Sequence, residues 1–200
     1  MSIPVSVTRT LEQASLLLEA DAELPSIASL VAGEPIRGSW WAHPLAHEIY
    51  DVCVAVDHRD DVVTVKLLKG KVTHVARALW PALLTVGLQR APWQSRGLNA
   101  DAQTLLRRVS REGETRLDQI RWRGKRKPGV VARELEARLL VFSEEFHTEQ
   151  GRHAKSLVDW NLFRRRHRLA PMASLDAAQR VLEDAAMRLD ARAPGALPWR

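Results

Sequence analysis

The sequence predicts an α+β fold dominated by helices, and three observations carry that expectation. Apolar residues recur at helical spacing through most of the chain. Two pairs of extended runs meet across glycine-containing turns, near residues 62–75 and 140–158. Asn, Ser and Gly stand where helix caps belong. Together they divide the 200 residues into an N-terminal helical unit with a β-hairpin (1–90), a second unit of three helices and a hairpin (91–170), and a C-terminal docking helix with a tail (171–200).

Over residues 8–22, Leu11, Ala14, Leu17, Leu18 and Ala20 fall at roughly helical spacing, with Thr8 or Thr10 as the cap, which predicts one docking helix. After Pro25 a short helix from Ser26 to Val31 should stop at Gly33, and Pro35 prevents it from resuming. Ser39 or His43 then caps a helix to about Val56, with Leu45, Ile49, Val52, Cys53 and Val56 in one stripe. Residues 62–68 and 72–75 are β-branched runs around Lys69-Gly70-Lys71, a hairpin pattern. Residues 78–86 read as a buried helix with Pro81 in its first turn, where a missing amide donor costs little. Residues 89–99, rich in Pro, Gly, Gln and Ser, read as a linker.

In the second unit Asn99 or Asp101 caps a helix through Leu105, Leu106 and Val109 that stops at Gly113. Residues 115–120 read as a second, short helix, and residues 124–129 as a basic connection. A third helix runs from Val130 to Leu140, with Val131, Leu135 and Leu139 on one face. The extended runs 140–148 and 153–158 flank a turn at 149–152. Ser174 caps a last helix from Leu175 to Leu189, with Arg188 near its C-terminal dipole. Residues 193–200 form a Pro/Gly tail, expected to be mobile.

The charge is segregated. The chain has 30 Lys and Arg against 24 Asp and Glu, a net +6, and residues 101–170 hold 17 of the cations with 10 of the carboxylates, leaving 13 against 14 elsewhere. Such asymmetry suits a polyanion-binding surface, because each Lys or Arg that neutralises a phosphate releases condensed counterions. With 46% hydrophobic and 27% charged residues, the composition is that of a globular chain and not of a disordered one. The single cysteine, Cys53, excludes an intramolecular disulfide framework and a four-thiolate zinc site, and points to a reducing compartment. The N-terminal segment has no charged-then-apolar leader pattern, and no run of about 18 apolar residues occurs, so a cytoplasmic protein without a membrane span is expected.

Gly38-Ser39-Trp40-Trp41-Ala42-His43-Pro44, Lys71-Val72-Thr73-His74-Val75 and Leu79-Trp80-Pro81-Ala82-Leu83 resemble a segment of an uncharacterised bacterial protein family. That resemblance covers about residues 34–86 and implies a folded unit without implying an activity. The order helix, helix, helix, hairpin over about residues 99–160 resembles the winged-helix class of helix-turn-helix domains, in which the third helix enters the major groove. The resemblance implies a noncatalytic DNA-binding protein, regulatory or accessory, with double-stranded DNA as partner. On it, Arg133 and Arg138 lie on the recognition helix, Lys125, Arg126 and Lys127 at its entry, and Arg152 and Lys155 on the wing.

Arg121 and Arg123 flank Trp122, an aromatic that can stack on a base or pack between subdomains. Arg164, Arg165 and Arg166 form the densest positive run, either a phosphate-contacting helix end or a solvated face beside Trp160. Glu134, Glu136, Glu144, Glu145 and Glu149 oppose DNA binding by charge. A protein-interaction adaptor, with a protein partner or a second copy, and a DNA-acting or metal-dependent enzyme stand as alternatives. Winged-helix DNA glycosylases come nearest among enzymes, and their glutamine-based catalytic motif is not found in the sequence.

No catalytic residue, cofactor or metal site is assigned. His43 and His47 sit at i and i+4 with Glu48 adjacent but without a third ligand, and His147, Glu149 and His153 straddle the wing turn. Cys53, on its apolar stripe, reads as a buried inert thiol. Asp57, Asp60 and Asp61 gather around Arg59 in a helix-to-strand loop, and the isolated glycines make no phosphate loop. Of the seven tryptophans, Trp40, Trp41, Trp80 and Trp160 read as core, and Trp93 and Trp122 as packed between subdomains.

Overall fold

In the computed structural model, which describes residues 2–147 and 153–200, the chain opens with α1 (Val5–Ala14), whose Val7, Leu11 and Ala14 face inward. The helix expected over 8–22 ends here. Ser15 takes a left-handed conformation at φ 61°, and the chain continues as β1 (Leu16–Leu18). All three leucines are fully buried, which a strand covered on both faces permits and a helix docked by one stripe does not. Thr10 is no cap: its hydroxyl donates to the Ser6 carbonyl one turn back.

α2 (Ile27–Ala32) is capped by Ser26 and closed by Gly33 at φ 78°. Residues 40–42 form a single 3-10 turn, and α3 (Ala46–Asp57) starts only after Pro44. The residue before a proline avoids helical backbone, and His43 is extended (φ −78°, ψ 145°), so the single helix expected from residue 39 or 43 is broken. His43 therefore does not share α3 with His47. β2 (Val62–Lys66) and β3 (Val72–Ala76) form the expected hairpin, and β1 adds to its other edge in an antiparallel sheet of order β1-β3-β2.

α4 (Trp80–Gln89) comes next, with Pro81 in its first turn. The expected linker contains the short α5 (Pro92–Ser95), and its Gln94 is fully buried, accepting from the Ala91 amide and donating to the Arg138 carbonyl. This connection is packed. α6 (Ala100–Glu112) is capped by the Asn99 side chain and ended by Gly113 at φ 80°. Residues 114–116 then form β4 (Glu114–Arg116), not the start of a second helix. The β-branched Thr115 is buried opposite Leu157, so the segment gains more as an edge strand than as a short helix.

α7 (Pro128–Ala137) corresponds to the third expected helix, entered through Pro128. β5 (Phe142–His147) and β6 (His153–Val158) form the second hairpin, and β4 completes a sheet of order β4-β6-β5. The order is thus helix, strand, helix, hairpin. Arg152 and Glu149, expected in a wing turn, lie outside the described residues, as do the side chains of His147 and His153. α8 (Trp160–His167) is capped by Asp159, and α9 (Leu175–Leu189) by Ser174 as expected.

Two apolar clusters hold the described residues. The larger gathers α1, the first sheet, α3, α4, α8 and α9, together with Leu139, Phe142 and Val158. The smaller joins α6 and α7 through Leu105, Leu106, Val109, Val131 and Leu135, with Leu140, Val141 and Leu157. Trp80 and Trp160 are fully buried in the larger, their indole N–H groups donating to the Val75 and Leu139 carbonyls at 3.0 and 2.8 Å. Trp41 is not core: it is 62% exposed, stacked on buried Trp40. The tail is not free either, since Ala193 and Leu197 are buried and Trp199 packs against Trp93 while donating to Glu183. Among the described residues no helix is long and apolar enough to cross a membrane.

Candidate nucleic-acid interface

Along the loop that joins β4 to α7, exposure alternates strictly. Arg121, Arg123, Lys125 and Lys127 are exposed, while Trp122, Gly124 and Arg126 are half-buried. The inward residues pin the loop. The Trp122 indole donates to the Arg126 carbonyl at 2.6 Å, closing the loop on itself, and the Arg126 amide donates to Asp101 Oδ2 at 2.9 Å, in the first turn of α6. Gly124 lies so close to Trp122 that an added Cβ would stand 2.5 Å from the ring and 2.7 Å from Asp101 Oδ1. The Arg126 guanidinium turns back onto Glu134 of α7.

Among the described residues the four outward cations have no carboxylate partner. Four exposed like charges on a pinned loop repel one another, and a polyanion relieves that repulsion while releasing its own counterions. Fixing the loop beforehand also lowers the ordering cost of binding.

α7 is less open than a reading helix needs. Gly129, Val130 and Arg133 are exposed in its first half, with Arg133 Nε donating to the Gly129 carbonyl at 3.3 Å. Its second half faces the protein. Glu136, 2% exposed, accepts from Ser143 Oγ and from Lys155 Nζ at 3.3 Å, with Lys66 Nζ of β2 3.9 Å from its other oxygen. Ala137 packs 3.7 Å from where a Gly70 Cβ would stand. Arg138 donates to the Gln94 and Arg96 carbonyls at 3.2 and 2.6 Å.

The twelve residues singled out in the sequence therefore separate. Arg126, Arg138 and Lys155 are engaged internally, and Arg166 is paired with Glu114 and Glu144. Desolvation opposes the Arg166 charge, and those two carboxylates outweigh it and raise its pKa. Arg121, Arg123, Lys125, Lys127, Arg133, Arg164 and Arg165 are exposed, and Arg152 lies outside the described residues. Sequence reasoning missed Arg107 and Arg111. Both are exposed on α6, and their helical offset from Leu105, Leu106 and Val109 was the available signal.

A second polar constellation sits under the first sheet. His74 of β3 is fully buried, with Nδ1 3.1 Å from Asp57 Oδ1 and 3.2 Å from Thr64 Oγ1. Thr64 donates its proton to Asp57, so Nδ1 carries the hydrogen that the other two oxygens share. Burial would raise the Asp57 pKa, but hydrogen bonding and charge from His74 outweigh it and lower the pKa. Nε2 is buried and has no partner among the described residues, while the Asp57 side chain is 42% exposed. The carboxylate of the pair meets solvent and the imidazole does not. No group of three or more metal-ligating side chains gathers among the described residues.

Cys53 lies 5% exposed on the inner stripe of α3. Burial, with the negative charges of Glu19 and Asp57, pushes its thiol well above the usual cysteine range. The folded protein is expected to resist a soluble thiol reagent, with Cys53 labelled at the rate of unfolding; fast labelling under native conditions would contradict this burial.

No protein-family model, curated protein or solved structure matches this chain.

Proposed function

We propose that the protein is a noncatalytic nucleic-acid-binding protein that holds the phosphate backbone of duplex DNA through the loop at 121–127. The observation that carries this reading is the alternation of that loop, with Arg121, Arg123, Lys125 and Lys127 outward and the residues between them fixed by Trp122 and Asp101. Backbone binding fits better than base reading, because Glu136 and Ala137 of α7, and Arg138 that follows them, are packed or bonded within the protein. Arg133 remains the one exposed arginine of α7 among the described residues.

Fluorescence anisotropy of a labelled random-sequence duplex across a salt series tests the proposal. Affinity should fall steeply as salt rises, with little dependence on sequence. Changing Arg121, Arg123, Lys125 and Lys127 together to alanine should lower the log–log salt slope by roughly 3–4, at about 0.9 for each phosphate no longer neutralised. Thermal unfolding of the variant should stay close to that of the parent, since exposed side chains without partners contribute little stability. No binding by the parent protein at low salt, or equal binding by the variant, would overturn the proposal.

A further inference from the structure

We infer that a duplex lies along α6 and is held at both of its ends, the loop at 121–127 forming one contact and a second cluster, Arg107, Arg111 and Arg165 with Arg90, forming the other. The inference rests on the nucleic-acid reading and adds a site to it. α6 joins the two places physically. At its first turn Asp101 receives the Arg126 amide of the basic loop. At its far end the Gly113 carbonyl accepts from the amide of Asp159, the cap of α8, at 2.8 Å. Arg165 of α8 brings its guanidinium to 3.9 Å from where a Gly113 Cβ would stand, over the end of α6.

On the other flank Arg90 donates to Ser110 Oγ at 2.7 Å, and Ser110 donates to Asp159 at 3.3 Å. Between these ends the outward residues of α6 are Gln103, Thr104, Arg107 and Arg111. The nearby carboxylates are already engaged: Asp101 by the Arg126 amide, and Glu112 by Arg108, Thr115 and Arg111. Glu114 is held by Arg166. Among the described residues Arg107 reaches only Thr104 Oγ1, at 3.3 Å.

The length of α6 then sets the kind of ligand. Thirteen residues in a helix rise roughly 20 Å. A duplex carries one phosphate per about 1.7 Å of axis with both strands counted, so that span contains roughly a dozen phosphates, enough for both clusters to engage one molecule. DNA is stiff over this distance, and the first contact therefore presents the second at high effective concentration. A duplex of about 5 base pairs spans less than α6 and reaches one cluster at a time, whereas one of about 14 base pairs reaches both.

The test uses the full chain and two DNA hairpins, with stems of about 5 and about 14 base pairs. Arg107→Ala, Arg111→Ala and Arg165→Ala are combined and compared with the four-residue loop variant. The arginine variant should bind the long stem at least about tenfold more weakly than the parent, with a salt slope lower by roughly 2.7. It should bind the short stem almost as the parent does. Circular dichroism and thermal unfolding unchanged from the parent establish that the fold is intact. If the arginine variant binds the long stem like the parent while the loop variant loses it, the second contact is wrong and the loop reading stands. If the parent binds neither stem at low salt, both readings fall.

Discussion

Gly87→Ala is expected to cost about 2–4 kcal/mol of unfolding free energy, although alanine is the better helix former by about 1 kcal/mol. The reason is the close approach of α4 to α8. A Cβ on Gly87 would stand inside van der Waals contact of the five-membered ring of Trp160, against Cδ2, Cε2 and Nε1. Trp160 cannot swing away cheaply: its N–H donates to the Leu139 carbonyl, and its ring packs against Phe142 and Phe163 at centroid distances of 4.9 and 5.7 Å. Chemical denaturation of the variant measures the loss. In a Trp160→Leu background the same glycine change should cost much less, because the obstructing ring is gone. A neutral or stabilising Gly87→Ala in the parent would show that α4 and α8 do not meet this closely.

Asp21→Ala is the other large loss, about 2–4 kcal/mol. Asp21 is 5% exposed, and its carboxylate accepts from the Glu23 and Leu24 amides, from Lys69 at 3.3 Å and from Lys71 at 2.8 Å. It ties the turn of the first hairpin to the chain leaving β1, and its removal strands two amides and takes the carboxylate from Lys71, while Lys69 keeps Glu23 at 2.7 Å. Desolvation pushes its pKa up, but Lys71, the two amides and Lys69 together hold it well below the usual 3.8. A carboxyl whose folded pKa is depressed stabilises the fold fully above its unfolded pKa and loses that contribution as pH falls. The stability gap between the parent and Asp21→Asn should therefore be constant near neutral pH and shrink below about pH 4. A gap that widened in acid would reverse the sign of the coupling.

Elements fixed by neighbouring residues were legible in the sequence. The caps at Asn99 and Ser174, the stops at Gly33 and Gly113, and both hairpins arise from interactions a few residues long. β1 and β4 were not legible, because their partners lie far away in sequence: Leu16 pairs with Val75, and Thr115 with Leu157. Each is three residues long, too short for a period to separate strand from helix. The break at His43 was readable from Pro44, which the apolar stripe of α3 masked.

The candidate interface divides in the same way. The sequence by itself determined that the positive charge is concentrated in residues 101–170 and that a basic run leads into the helix near residue 130. Tertiary structure decided which of those cations remain available. Arg166 meets Glu114 because β4 joins the second sheet, and Lys155 meets Glu136 because α7 packs against β5, the strand that pairs with β6. Arg121 and Arg126 are the same residue type five positions apart, yet one faces solvent and the other Glu134. The physical reason is that an ion pair depends on distances of a few ångströms between side chains, and chain folding sets those distances.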